Sequence, residues 1–214
     1  MKFKNIVFDF NGTILNDVDL CISLLNEMLQ IKKHPTVRRE DYFNIFTFPI
    51  IEYYKKAGFT FEGYTFEELA NWFIKKYHPM SYECVLYPGL IELLEYLNTN
   101  DVNVFILSAS QKENLIDQVN HFGIKKYFKE ILGIENIYAK SKLEIAQEYF
   151  KKNNLDVHET LFIGDTIHDY EIARELNATC YLMTTGHQSK EVLSKTGCQL
   201  FSSYDSLKEN LWLS

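Results

Sequence analysis

Apolar residues open the chain as a short continuous run. Lys4 to Phe10 reads as a buried β-strand, and Asn11-Gly12 after it supplies a turn. From Asp17 to about Ile31 the spacing changes: Val18, Cys21, Ile22, Leu25, Met28 and Leu29 recur every three or four positions, which predicts a helix that Pro35 stops. Leu69, Trp72, Phe73, Ile74 and Tyr77 follow the acidic pair Glu67-Glu68 at the same helical spacing. Beyond Pro88-Gly89 the pattern becomes regular. It predicts helices over Leu90–Leu97, Glu113–Phe122, Leu143–Lys152 and Tyr170–Leu176, and strands over Asn103–Leu107, Glu130–Gly133, Thr160–Ile163 and Cys180–Met183. Strands and helices alternating at these lengths require right-handed crossovers, so the expected fold class is α/β, a doubly wound parallel sheet that includes the first strand.

Composition adds a boundary. Of the 32 aromatic residues, 15 fall between Tyr42 and Tyr87, where the periodicity is helical rather than alternating. The chain therefore divides into an α/β core formed by residues 1–15 and 87–214 and a helical insertion over residues 16–86.

Charge narrows the partners. The formal net charge is −7, with no basic tail or basic block, which argues against nucleic acid. The N-terminal apolar run is too short to span a membrane and is interrupted by Asn5, Asp9 and Asn11, so no membrane partner is expected and the expected compartment is the cytoplasm. Cys21, Cys84, Cys180 and Cys198 are scattered singly and read as small packing residues.

Ligands of doubly wound sheets sit outside the carboxyl ends of the strands. Here those ends are polar: Asp9-Phe10-Asn11-Gly12-Thr13 after the first strand, Ser108-Ala109-Ser110 after the second, and Gly164-Asp165-Thr166-Ile167-His168-Asp169 after a later one, while Lys140 and Lys142 stand just before a helix. Singly, each has an ordinary reading. Asp9, Ser108 and Asp165 could be caps or turn residues, and Lys142 a solvated lysine. Together at one edge of one sheet, the carboxylates suit a hard cation such as Mg, and the hydroxyl and ammonium suit a phosphoryl group.

In this order these segments resemble the four motifs of the haloacid dehalogenase-like (HAD) hydrolase superfamily, over residues 5 to 185. The helical insertion lies where that family carries its cap. The resemblance implies a Rossmann-like core and a Mg-dependent phosphatase of the phosphoglycolate phosphatase-like branch, acting on a small phosphorylated substrate as a monomer or weak homodimer. It assigns Asp9 as the nucleophile that becomes an aspartyl phosphate. It assigns Mg to Asp9, Asp165 and the backbone carbonyl of Asn11, with Asp169 assisting through water or by orienting Lys142. Ser108 and the amides of Phe10 and Ala109, beside Gly12 and Thr13, would bind the phosphoryl group. Lys142 would screen its charge, with Lys140 the rival for that position.

One position departs from the pattern. Phosphatases of this family usually carry Asp two residues after the nucleophile as acid and base; here it is Asn11, whose amide has no titratable proton. Loss of such help typically costs about 100- to 10,000-fold. The chain could be a slow phosphatase drawing a proton from water or a cap residue, a phosphatase for good leaving groups such as acyl phosphates, a relative with different chemistry, or one whose Asp was substituted. A C–P hydrolase would need a Schiff-base lysine in the cap, where Lys55, Lys56, Lys75 and Lys76 lie in pairs that suit a solvated face. Haloacid dehalogenation itself is disfavoured, because it uses no Mg. An impaired relative that only binds a phosphometabolite or a partner stays open. Phe46-Thr47-Phe48-Pro49 is the candidate substrate loop. His168 and His187 read as surface or local hydrogen-bonding residues.

Overall fold

The computed structural model describes residues 2–135 and 141–213. Strand β1 (Asn5–Phe8) is followed by β2 (Leu15–Asn16), the helices α1 (Val18–Ile31), α2 (Arg39–Ile45), α3 (Ile50–Ala57) and α4 (Phe66–Ser81), and β3 (Val85–Leu86). The core then continues as α5 (Leu90–Thr99), β4 (Asn103–Gln111), α6 (Lys112–His121), β5 (Glu130–Ile134), α7 (Lys142–Asn153), β6 (Thr160–Gly164), α8 (Ile167–Glu175), β7 (Thr179–Met183), α9 (Lys190–Leu193), β8 (Gln199–Phe201) and α10 (Tyr204–Leu213). The main sheet is parallel in the order β5-β4-β1-β6-β7-β8. Successive strands step one way from β1 to β5 and the other way from β6 to β8, so the switch point lies at β1 and β6.

β1 is apolar throughout because both of its faces are covered. Ile6 and Phe8 pack on Leu93 and Leu97 of α5, Leu115 of α6 and Leu207 of α10, whereas Val7 points to Ala146 and Phe150 of α7 and Ile172 of α8. Each such buried side chain contributes about 1.5–3 kcal/mol. The strand ends before Phe10, two residues short of the sequence expectation. Asp9 N–H still donates to the Ile163 carbonyl (2.8 Å), but the Phe10 carbonyl accepts from Ile14 and Leu15, which curls the chain out of the sheet. β4 instead runs longer than expected, through Ser108-Ala109-Ser110 to Gln111, because Gln111 regains a partner in Ile134 after a register shift. β8 and α10 lie beyond the expected pattern. β8 pairs with β7, and Tyr204 of α10 donates to the Thr13 carbonyl (2.7 Å), bracing the turn after β1.

Helices α1 to α4 form the inserted cap and have a core of their own, including Leu25, Met28, Tyr42, Tyr53, Tyr54 and Leu69. The aromatic excess is thus spent on packing short helices together. α4 starts on a reciprocal pair of bonds between Thr65 and Glu68. β2 and β3 form a two-stranded antiparallel ribbon, Leu15 opposite Leu86 and Asn16 opposite Val85, through which both chain crossings between core and cap pass. Among the described residues no helix is long and apolar enough to cross a membrane.

Candidate active site

The carboxyl ends of β1, β4 and β6 and the first turn of α7 converge at the switch point. Lys142, the first residue of α7, is brought there by the Ser141–Glu144 capping box. Its ammonium donates to Asp9 Oδ1 at 2.7 Å and to Asp169 Oδ1 at 2.6 Å. The three side chains are 6%, 13% and 5% exposed, respectively, so little solvent screens them. Lys140, the rival lysine, lies outside the described residues. Asp169 sits at the third position of α8, where its second oxygen accepts from the Thr166 amide (3.1 Å) and hydroxyl (2.7 Å). A cap residue by local geometry, it also fixes the lysine.

Asp165 is completely buried. Its carboxylate accepts from the Thr13 hydroxyl (2.8 Å) and the His187 amide (2.6 Å). Glycines make room for this crowding. A Cβ on Gly12 or Gly186 would collide with the Asp165 carboxylate, and one on Gly164 with Asp169. Gly12 also has a φ of +69°, where other residues are strained.

The charges do not cancel. Asp9, Asp165 and Asp169 offer oxygens that all lie within 4.8 Å of one another, against the single ammonium of Lys142. Burial, reinforced by the two neighbouring carboxylates and opposed by Lys142, pushes Asp9 up to about 7. Burial and Asp169 push Asp165 up to about 6 against the opposing pull of His187. Burial also acts on Asp169, but Lys142 and Thr166 outweigh it and hold the acid below its usual range. With all three acids ionised, two negative charges exceed the ammonium among oxygen donors alone, a set that fits a divalent hard cation such as Mg, and until one binds the acids are held partly by protons. Carboxylate oxygens that already accept one hydrogen bond keep a further lone pair for it.

Asn11 is held on every side. Its amide nitrogen donates to Asp17 Oδ2 (2.9 Å) and to the Tyr77 hydroxyl of α4, and its oxygen accepts from the Ser110 hydroxyl (2.9 Å). Asp17 also accepts from the Gly12 amide (2.9 Å) and the Tyr77 hydroxyl (2.6 Å), and its other oxygen lies 3.3 Å from His187 Nε2. The second ring nitrogen of His187 bonds the Tyr42 hydroxyl (2.8 Å). Burial opposes a charge on this ring, yet Asp17 outweighs it and raises His187 to about 9, while His187 holds Asp17 low despite its own burial. His187 is therefore no surface residue. At 3% exposure it joins core to cap. Asp17, Tyr77 and Tyr42 go unforeseen as site residues, and the sequence marks Ser110 only as part of a polar strand end. Asp17 precedes α1, but its side chain makes no capping bond and turns back toward the turn after β1.

Over these groups lies a cavity of about 320 Å³ between core and cap. Asp9, Asn11, Ser108, Ala109, Lys142 and Asp169 line its floor, and Phe46 and Phe48 of the candidate substrate loop line its wall. Of the other expected phosphoryl contacts, Gly12 and Thr13 lie behind this surface, and Phe10 has only its backbone to offer. The Phe10 ring is in the core, the Gly12 amide bonds Asp17, and the Thr13 hydroxyl holds Asp165 rather than facing the cavity. His168 stacks on Phe48, with ring centres 4.6 Å apart. Lys55, Lys56, Lys75 and Lys76 are exposed and do not line the cavity.

Known proteins match along the same span. The haloacid dehalogenase-like hydrolase family profile covers residues 6–183. A phosphoglycolate phosphatase of Vibrio parahaemolyticus is 24% identical over 97% of this chain and 94% of its own, and a pyrophosphatase PpaX of Listeria welshimeri is 22% identical over 81% and 79%. A haloacid dehalogenase-like hydrolase from Streptococcus pneumoniae superimposes with a TM-score of 0.83 at 19% identity, covering 98% of this chain and 99% of that one. With its Rossmann-like core, helical cap and strand-end acids, the chain is a phosphatase-type hydrolase and belongs to the haloacid dehalogenase-like hydrolase family, in its phosphoglycolate phosphatase-like branch.

Proposed function

We propose that the chain hydrolyses a small phosphorylated metabolite in a Mg-dependent reaction that passes through an aspartyl phosphate on Asp9. The observation that carries this reading is the Lys142 ammonium, held between Asp9 and Asp169 at 2.7 and 2.6 Å in a buried, acid-rich pocket. Lys142 orients the Asp9 carboxylate and offsets the charge of an incoming phosphoryl group. Such fixed charges, present before the reaction begins, are the main device of phosphoryl transfer. The Ser108 hydroxyl and the amides of Phe10 and Ala109 hold phosphoryl oxygens, while Thr13 and Gly12 support the site from behind. Mg would be held by Asp9, Asp165 and the backbone carbonyl of Asn11, with Asp169 fixing Lys142 beside it, and would supply positive charge for the transferring group.

Attack by Asp9 on phosphorus expels the leaving group and forms the acyl phosphate, which water then hydrolyses; splitting the displacement makes each step easier. Asn11 can position either partner but cannot move a proton, so turnover depends on a leaving group that needs little protonation.

The test is Mg-dependent release of phosphate from acetyl phosphate and a panel of phosphate esters. The panel begins with phosphoglycolate and pyrophosphate, the compounds after which the relatives are named. Release that needs both Mg and Asp9 supports the reading, and release that survives Asp9→Asn overturns it. A second reading, a non-hydrolysing binder of phosphometabolites, is favoured by the three hydrogen bonds that lock Asn11. It gains if phosphate binds and no compound turns over.

A further inference from the structure

Resting on the phosphatase reading, we infer that the leaving group is an uncharged aromatic hydroxyl, so that the substrate is an aryl phosphate rather than the phosphate of a small acid or of a second phosphate.

Two independent observations meet here. The first is the wall of the cavity. Above the polar floor it is lined by Phe46, Phe48, Tyr53, Phe66, Phe73 and Tyr77, with Leu25, Met28 and Ile74 between them. Phe73 and Tyr77 lie parallel with centres 5.5 Å apart, one turn after another on α4. A cavity of this size stands at the lower end of the roughly 300–1,000 Å³ that ligand sites enclose, enough for a ring beside a phosphoryl group. Aromatic side chains favour such a ring by offset or edge contacts.

Of the cap's eight Lys and Arg, five are engaged elsewhere, and the other three, Lys33, Lys56 and Lys75, are exposed and line no part of the cavity. Arg38 pairs with Asp41, Arg39 with Asp19, Lys55 with Glu52 and Lys76 with Glu27, and Lys32 covers the outer face of Tyr64. Among the described residues no Lys or Arg of the cap lines the cavity, and the one cap-side carboxylate, Asp17, is already matched by His187. A carboxylate or second phosphate on the leaving group would meet no cap Lys or Arg there, where His78 and the neutral amides of Asn114 and Gln118 line the cavity instead, and desolvating its charge is costly.

The second observation is Asn11. A phenolic oxygen has a pKa near 10, whereas an alkoxide leaves from a hydroxyl near the value of water, about 16. Without a proton donor at position 11 the chemistry selects against alkyl leaving groups by orders of magnitude, and an aryl oxide escapes that selection. In the balanced step, the Asp9 carboxylate oxygen forms a bond to phosphorus as the P–O(aryl) bond breaks. The electron pair leaves with the aryl oxide, which takes its proton from solvent, and water then releases phosphate and restores Asp9.

The test compares kcat/KM for phenyl phosphate, benzyl phosphate, phosphoglycolate and pyrophosphate, with acetyl phosphate as a control for Asp9 chemistry. Calorimetric Kd values for phenylphosphonate and phosphonoacetate read the pocket without turnover. Phenyl phosphate is expected to exceed benzyl phosphate, phosphoglycolate and pyrophosphate each by at least tenfold, and phenylphosphonate to bind at least tenfold tighter than phosphonoacetate. Phosphoglycolate or pyrophosphate matching phenyl phosphate, or phosphonoacetate matching phenylphosphonate, overturns the inference while leaving the phosphatase reading intact. Failure of all five compounds, acetyl phosphate included, overturns that reading instead. Ile74 lines the cavity yet is half exposed, so Ile74→Lys places a cation at its wall without burying one. The variant should shift the phosphonate Kd ratio at least fivefold toward phosphonoacetate. An unshifted ratio in a folded variant places the leaving group elsewhere and overturns the assignment.

Discussion

Asn11 and Asp17 are joined by a hydrogen bond of 2.9 Å that an amide at position 11 can donate and an ionised acid there cannot. Replacing Asn11 with Asp would set two carboxylate oxygens at this distance inside a buried site. Asp17 is held below its usual range and so does not readily yield by protonating. Asn11→Asp should therefore lower Tm, and by more at pH 8 than at pH 5. Adding Asp17→Asn should recover much of the loss, with a coupling of about 0.5–3 kcal/mol in a double-mutant cycle. Thermal unfolding of the four proteins at both pH values reads it. An Asn11→Asp protein as stable as its parent at pH 8 would show that the bond does not discriminate.

Asp9→Asn removes the proposed nucleophile and one member of an overcrowded set of acids. Turnover should fall by at least about 1,000-fold, on the scale seen when other enzymes lose a nucleophile. Tm at pH 8 in the absence of divalent ions should stay level or rise, since Lys142 keeps Asp169. Initial rates and melting curves on the same preparation check both halves.

Stability should fall with rising pH when no divalent ion is present. Asp9 at about 7 and Asp165 at about 6, both above the ordinary 3.8, retain protons that the unfolded chain has released; their effect on stability is lost as pH rises from about 4 to 7. His187, at about 9 against an ordinary 6.5, favours the fold fully below 6.5 and loses that effect as pH rises through 9. Asp17 and Asp169, held low, give the opposite limb below pH 4. Tm is thus expected to peak in mildly acid solution, and Mg should raise it more at pH 8 than at pH 5. A flat profile from pH 5 to 9 would contradict these assignments.

Gly186→Ala puts a methyl group into the Asp165 carboxylate. The acid must move, so Mg affinity should drop tenfold or more in a titration followed by Tm, with a loss of basal stability of about 1–3 kcal/mol, as for other overpacked sites. An unchanged Mg titration would remove Asp165 from the cation site.

Asp9, Ser108, Lys142, Asp165 and Asp169 could be read from sequence because strand ends of a parallel sheet meet at one edge whatever covers them. Tyr42, Tyr77 and His187 could not. They become neighbours of Asn11 and Asp17 only when the cap closes on the core, and their spacing in the chain records nothing of that. Periodicity saw Tyr77 as one more apolar position on α4, although its hydroxyl makes the contact that matters. The expected contacts of Thr13 and Gly12 with substrate missed in the same way, since a motif names residues without saying which of them face the ligand. β8 is three residues long, too short for alternation to register.

Leu15 and Leu86 face each other in the ribbon that carries the chain into and out of the cap. Paired strands lie only about 4.8 Å apart, so to the sheet everything between Asn16 and Val85 is one long turn between adjacent points. A segment inserted at such a point can grow, shrink or be exchanged over generations without displacing Asp9 or Lys142, which lets choice of leaving group drift apart from the chemistry at phosphorus. Asp17 is the exception. It travels with the inserted segment yet bonds the Gly12 amide and Asn11, so any substitute cap for this chain must carry its own partner for the Asn11 amide.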